Sequence, residues 1–396
     1  MDWKPADKND KGLYKIPKRW LHVHYYEALT ILFRFENSLR VFVYAVLKNS
    51  MYESWKDCGF TSAGEESKTI KGIASKRIHQ AENFGYLGFN VASPVMHLTS
   101  GELIDVLTAD AHWPKFRGYF RGNREIIKNK LLEIGAVRNA IAHFRPIKAE
   151  DVELVKQNSR HVLLGVEECL SSLFSQNVRV PTNTSAAWYD SISALGTSQV
   201  SISPHLSKDE SWLCIKLSFA APQLSKVHYG DDFFSYSVCN LNTPNLLRGH
   251  DFLASRVTYI SEYVPTAQMT EEYDLKVTKS VNLVFLKAIF EADHEKIAID
   301  LKAMLMKINE ECELLLQDNL AKGDLVESAS CYSMLQKEGN QTPKWNHTVD
   351  AMWKQYESHH PDEYWGKHQF VSDVVGGCKR YPWMPTDISE QEGFMD

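Results

Sequence analysis

The first half of the chain carries an apolar pattern that an α-helix satisfies and a strand does not. Three long segments have apolar residues at alternating spacings of three and four: 25–55, 124–144 and 149–174. This spacing places the side chains on one face of a helix with 3.6 residues per turn. A shorter helix is predicted at 68–84, and a capping box predicts another from Ser100. Residues 20–175 are therefore predicted to form an all-helical domain.

The character of the sequence changes after about residue 175. The region up to 207 is rich in Ser, Thr, Asn and Pro, which is typical of turns. Two later segments, 212–219 and 233–239, look like strands, and a third, 294–319, looks like a long amphipathic helix. The predicted fold class is mainly α. Its predicted parts are a basic lead-in at 1–19, the helical domain at 20–175 and a C-terminal α+β domain at 190–396.

Composition excludes several classes of protein. No apolar run reaches the roughly 18 residues of a membrane span, and the charged N-terminus lacks the apolar core of a secretory signal. A cytoplasmic protein is therefore expected. The seven cysteines are widely separated, without a C-x-x-C pair, and the His22-x-His24 and His359-His360 pairs lack a third ligand at zinc-like spacing. No metal, P-loop or other cofactor site is predicted.

Charge is distributed unevenly along the chain. Residues 1–180 hold 26 basic and 20 acidic residues, a net charge of +6, whereas residues 181–396 have a net charge of −12. A basic half indicates a polyanionic partner such as RNA. Two other interpretations remain open: the imbalance can reflect solvated surface alone, or the acidic half can mask the basic half by mimicking nucleic acid.

The residues with the clearest chemistry end the helix predicted at 124–144. The run R-N-A-I-A-H-F-R-P places Arg138, Asn139, His143 and Arg145 within about two turns. Arg138 falls on the apolar seam, where a charge is costly unless it is paired or the seam opens onto a site. Histidine exchanges protons near neutral pH, and arginine stabilises charge on phosphoryl oxygens. These residues suit RNA cleavage by the 2′-hydroxyl, which leaves a cyclic phosphate and a 5′-hydroxyl and needs no metal.

The same residues, in the same helical setting, resemble the HEPN superfamily (higher eukaryote and prokaryote nucleotide-binding). Its nuclease motif is R-x(4–6)-H with a polar residue after the arginine. The resemblance covers about 20–175, and this region looks like the abortive-infection branch of the superfamily. The resemblance also rests on three longer segments: FENSLRVFVYAVL, HLTSGELIDVL and LLEIGAVRNAIAHFRPIKAEDVELV.

The resemblance implies a metal-independent endoribonuclease of toxin or anti-phage type. It also implies a homodimer with one composite active site and RNA, such as tRNA, as the substrate. Arg138 and His143 would be catalytic, Asn139 would orient them, and Arg145 would contact a phosphate. HEPN toxins controlled by nucleotidyltransferase antitoxins carry R-x4-H-x-Y, and Arg145 replaces that tyrosine, so this control is not predicted.

Further basic residues near the motif helix extend the predicted RNA surface. Arg121 and Arg124 are assigned to phosphate binding, together with nearby lysines. The acidic C-terminal half is expected to sense a protein or phage-derived trigger. The alternative is a non-catalytic HEPN module for dimerisation or RNA binding in a larger complex, in which Arg138 makes a structural ion pair.

Overall fold

The structure is a computed structural model. It describes residues 9–11, 24–60, 68–84, 93–175, 179–263, 265–317, 322–336, 343–349, 352 and 361–368. Nearly all of the predicted basic lead-in lies outside these residues, as do His22, His359 and His360. Within the described part, none of the helices is both long and apolar enough to cross a membrane.

The five predicted N-terminal helices are confirmed. They are α1 (Tyr25–Met51), α2 (Ile70–Phe84), α3 (Ser100–Thr108), α5 (Arg124–Ala142) and α6 (Ala149–Phe174). A short helix that was not predicted, α4 (Trp113–Phe116), lies between α3 and α5. A minimal hairpin joins α1 to α2 and consists of β1 (Gly59–Phe60) and β2 (Lys68–Thr69). Thr99 and Glu102 form the predicted capping box at the start of α3. The side chain of Asn123 caps α5 by accepting from the backbone N–H of Ile126 at 2.9 Å.

The prediction of a mainly α chain is wrong. The described residues are about 52% helical and 26% strand, which makes the protein mixed α+β. Its larger strands are β3 (Val200–Leu206), β4 (Trp212–Ala221), β5 (Gln223–His228), β6 (Phe233–Leu241), β7 (Tyr259–Tyr263), β8 (Thr266–Met269), β9 (Leu275–Leu286), β10 (Val326–Gln336), β11 (Lys344–Thr348) and β12 (Tyr364–His368).

The strands that the sequence did not predict explain this error. β3 lies in the region interpreted as turns, and β9 and β10 were not predicted at all. β10 buries Val326, Ala329 and Cys331 but carries serines on its exposed face, so its hydrophobic alternation is weak. Strand formation here depends on pairing with neighbouring strands more than on local preference.

The strands form two larger sheets. The six-stranded sheet has the order β12-β7-β9-β4-β3, with β8 also pairing with β9, and the four-stranded sheet has the order β11-β10-β6-β5. The remaining helices are α7 (Ala187–Ser193), α8 (Asp251–Arg256) and α9 (Lys287–Leu316). Helix α9 begins seven residues before its predicted start and packs against strands of both sheets.

The helical part and the six-stranded sheet share one hydrophobic core. The Tyr44 hydroxyl, on α1, donates to the carbonyl of Thr258 at 2.6 Å. The Tyr259 hydroxyl donates to the carbonyl of Leu173, at the end of α6, at 3.3 Å, and its ring stacks on Trp365 at 4.3 Å. Helix α5 packs against α1, α3 and α6, which leaves its opposite face to solvent.

Candidate functional site

Helix α5 ends in a geometry that projects three side chains into solvent. His143 is the C-cap, and Phe144 has a left-handed φ of 55°. The N–H of Phe144 donates to the Ile141 carbonyl at 2.9 Å, and that of Arg145 donates to the Ala140 carbonyl at 2.8 Å. Glycine usually occupies this position, because a residue with a Cβ is strained there by roughly 1–3 kcal/mol. The Phe144 ring is nevertheless 86% exposed.

The polar motif side chains at this helix end are available to a ligand. Asn139, His143 and Arg145 are exposed, and their side chains make no hydrogen bond or ion pair within the described part of the chain. The Tyr25 hydroxyl donates to the backbone carbonyl of Arg145 and so anchors the end of α5 to the start of α1. The backbone is therefore fixed, whereas the imidazole and guanidinium remain open to solvent.

Arg138 is both paired and partly exposed. Its Nε lies 3.4 Å from Oε2 of Glu36 on α1, and its side chain is 37% exposed. Glu36 also accepts from Arg40 and, at 2.7 Å, from the Ser100 hydroxyl, at the start of α3. Glu36, Ser100 and Arg138 line a small groove between α1, α3 and α5. An ion pair made through Nε leaves other N–H donors of the guanidinium for an anion.

Arg138 and His143 belong to different sides of α5. Five residues on an ideal helix correspond to about 140° around the axis and about 7.5 Å along it. Arg138 faces α1, and His143 faces solvent. A single chain therefore holds the two side chains on the same helix without directing them at the same point.

Arg121 and Arg124 lie at the opposite end of α5. The 19 residues of this helix span about 28 Å, so these arginines do not join His143 in one phosphate site of a single chain. Arg124 is paired with Asp110 and, through Nε at 3.2 Å, with Glu125. The structure therefore separates the predicted phosphate contacts into two groups.

Arg121 instead lines a cleft between the helical part and β4. Tyr119, His161, Cys169 and Asp209 also line it. Burial raises the pKa of both the Tyr119 hydroxyl and the Cys169 thiol to about 12, so the thiol stays protonated. Burial alone would raise the pKa of Asp209, but hydrogen bonds from Ser172, Ser207 and Ser211 lower it to about 2. Asp209 therefore ties α6 to the turn between β3 and β4, which is a structural role.

Glu36 is the site residue that sequence reasoning missed. In the sequence, Glu36 and Arg40 have the i, i+4 spacing of an ion pair within one helix, and this spacing does not indicate a further partner for Glu36. Arg138 lies 102 positions further along the chain, and helix packing brings it to Glu36. The one signal in the sequence is the charge of Arg138 on the apolar seam of α5, because a charge there requires either an ion-pair partner or a seam that opens onto a site.

Comparison with models of protein families, with curated proteins and with solved structures found no match. Within the described residues, no group of three or more His, Cys, Asp or Glu side chains is arranged to hold a metal ion.

Proposed function

We propose that this chain is an endoribonuclease that acts in the cytoplasm, of the toxin or anti-phage type that its sequence resembles. One observation carries the proposal. Helix α5 ends on an exposed His143 and an exposed Arg145, both without partners in the described structure, and Arg138 precedes them by less than two turns. This combination offers a proton carrier and two cations to an RNA phosphate.

The chemistry follows from these groups. The 2′-hydroxyl oxygen attacks the adjacent phosphorus, and the bond from phosphorus to the 5′-oxygen breaks. One imidazole accepts the 2′-hydroxyl proton, and a second donates a proton to the leaving 5′-oxygen. Arg138 and Arg145 stabilise the charge on the non-bridging oxygens. Two copies of the chain supply the two His143 imidazoles.

Glu36 acts as a positioning residue in this proposal. It holds Arg138 through Nε, while Arg40 and Ser100 hold Glu36. Arginine otherwise loses side-chain entropy when it is ordered against a phosphate. Because the ion pair already orders the Arg138 side chain, less side-chain entropy is lost when RNA binds.

An exposed stripe on α5 supports a homodimer. Its residues alternate at spacings of four and three, and all are exposed: Glu125, Asn129, Leu132, Ala136, Asn139 and His143. An average spacing of 3.5 residues is that of a seam between two packed helices. Leu132 is 47% exposed, and Ala136 is small enough for close helix contact. A two-fold axis that runs along this stripe would pack α5 parallel to α5 of a second copy, which brings the two His143 side chains together at the same end.

Leu132→Glu is expected to convert the dimer into a monomer in light scattering coupled to size-exclusion chromatography, and to abolish RNA cleavage. The reason is that it places two like charges close to the two-fold axis. Ile299→Glu is the control, because Ile299 is a 67% exposed apolar residue on α9, away from the stripe. A wild type that is monomeric at assay concentrations, or a Leu132→Glu variant that remains dimeric, contradicts the proposed interface.

Incubation of the purified protein with total RNA and with isolated tRNA in EDTA tests the activity. We expect fragments with cyclic-phosphate and 5′-hydroxyl ends, and a loss of cleavage of at least about 100-fold in Arg138→Ala, since that variant loses a transition-state contact. Arg160→Ala serves as the control, because Arg160 is an exposed arginine on α6. Products with 5′-phosphate ends, or full activity in Arg138→Ala, would refute the mechanism.

One observation favours a second candidate function. The ion pair between Arg138 and Glu36 is also what a structural arginine makes, as in a non-catalytic module for dimerisation or RNA binding. In that case wild type binds RNA without cleaving it, and Arg138→Ala lowers the melting temperature. The EDTA assay, combined with an RNA-binding measurement, separates the two functions.

A further inference from the structure

The Phe144 side chain is unusually exposed for an aromatic ring. At 86% exposure it is the most exposed large apolar side chain in the described part of the chain, and its ring makes no contact with another described ring or with a cation. Single apolar residues on a surface are common, so exposure alone does not indicate a function. The exposure becomes informative together with the backbone conformation of the same residue.

Four described residues other than glycine have a left-handed backbone, and three of them have side-chain contacts within the described structure. The Tyr52 ring lies under a guanidinium carbon at 3.8 Å, Glu210 forms ion pairs with an arginine and a lysine, and the Tyr273 ring stacks on another ring at 5.3 Å. Phe144 is the fourth, with a φ of 55°, and its side chain has no such contact with a described residue. The strain at Phe144 is therefore not offset by a side-chain contact of these kinds.

The surrounding hydrogen bonds hold Phe144 in this conformation. Its N–H donates to the Ile141 carbonyl at 2.9 Å, and the N–H of Arg145 donates to the Ala140 carbonyl at 2.8 Å. The Tyr25 hydroxyl, on another helix, donates to the carbonyl of Arg145. Turning the ring into the core would break these bonds. Strained conformations that the surroundings enforce occur preferentially at ligand-binding and active sites, so this one indicates a ligand.

The neighbours of Phe144 in the chain indicate which ligand. His143 and Arg145 flank it, with consecutive Cα atoms about 3.8 Å apart, and both side chains are exposed and make no hydrogen bond or ion pair with a described residue. A nucleotide carries a flat base and an anionic phosphate on the same ribose. An exposed ring between an imidazole and a guanidinium matches this arrangement, because proteins that bind single strands combine base–aromatic stacking with cationic contacts to the backbone.

We propose that the Phe144 ring stacks on an unpaired RNA base, beside the phosphate that His143 and Arg145 contact. This inference rests on the proposed ribonuclease function and deepens it, because it restricts the substrate to RNA with an unpaired base at the cleavage site. Stacking removes apolar ring surface from water, which is favourable. In a duplex the neighbouring pairs cover both faces of each base, so the ring has no free base to stack on.

Binding of a single-stranded RNA with 2′-O-methyl groups to the full-length protein tests the proposal, with fluorescence anisotropy as the readout. The methyl groups block the attacking hydroxyls, so this strand stays intact whether or not the protein is a ribonuclease. The second probe is a strand with the same backbone and no bases, and the third is the first strand annealed to its complement. We expect Phe144→Ala to weaken binding of the base-carrying strand by at least about 10-fold, a typical effect of removing one base–aromatic stack. Binding of the strand without bases should not change.

Three further variants make the test specific. Phe144→Trp keeps an aromatic face and is expected to bind like wild type. Tyr229→Ala removes a 61% exposed ring that follows β5 in the C-terminal part, and it should leave binding unchanged. Phe144→Gly should bind as weakly as Phe144→Ala and yet raise the melting temperature without RNA, because glycine adopts a left-handed φ without strain. A Phe144→Gly variant that melts below wild type would show that the ring serves the fold, which overturns the proposal.

The outcomes separate this proposal from the ribonuclease itself. A wild type that binds the strand through Phe144 but does not cleave unmodified RNA supports the stacking site and refutes the nuclease. A wild type that cleaves, with a Phe144→Ala variant that binds and cleaves equally well, overturns the stacking site alone. Equal weakening for the strand without bases, or duplex binding as tight as that of the single strand, also overturns it. So does a change from dimer to monomer in Phe144→Ala, because the ring would then lie in an interface between two copies.

Discussion

His143→Ala is expected to lower the rate of RNA cleavage by at least about 100-fold and to leave the melting temperature unchanged. General acid–base catalysis by a positioned side chain typically contributes about 10²–10⁴-fold to a rate. The His143 side chain is exposed and makes no hydrogen bond or ion pair with a described residue, and the hydrogen bond of this residue to the Asn139 carbonyl comes from its backbone N–H, which the variant keeps. The measurement is the initial rate of tRNA cleavage in EDTA, alongside thermal unfolding of both proteins.

His161→Ala is the matched control for this prediction. His161 is also an exposed histidine on a helix of the N-terminal part, but it lines the cleft that contains Arg121. We expect this variant to cleave at the wild-type rate. Cleavage by His143→Ala at that rate would remove His143 from the chemistry. Loss of cleavage in His161→Ala alone would move the active site to the cleft.

Lys279→Met is expected to destabilise the fold by about 3–5 kcal/mol, because it leaves the carboxylate of Glu262 buried and unpaired. The two side chains are 3% and 2% exposed, and Lys279 Nζ lies 2.8 Å from Glu262 Oε2. Lys279 also donates to the carbonyls of Leu241 at 2.7 Å and Met352 at 3.2 Å. The lysine thus links β9 of the six-stranded sheet to β6 of the four-stranded sheet.

Denaturant unfolding of two further variants isolates this effect. Lys279→Met combined with Glu262→Gln should recover part of the lost stability, since no uncompensated charge remains. Lys226→Met removes an exposed ion pair of similar length, 2.7 Å to Asp274, and should have a much smaller effect on stability because solvent screens the pair. If Lys279→Met is as mild as Lys226→Met, the buried pair is not an anchor between the sheets.

Much of the helical part is predictable because its signals are local. The seams of α1, α5 and α6 and the capping box of α3 involve residues within one or two turns of each other, and a single helix already satisfies them. The apolar residues of β4 and β6 are also a local signal, so the sequence predicts these two strands. β9 and β10 were not predicted. Their burial depends on which strands lie beside them.

For the candidate site, the sequence alone determined that Arg138, Asn139, His143 and Arg145 lie together at the end of one helix, because helical geometry places residues that are close in sequence. Only the tertiary structure decided that Glu36 pairs with Arg138 and that Arg121 lies in another cleft. These contacts join residues that are distant along the chain, and they form only when helices and strands pack, so no local periodicity encodes them.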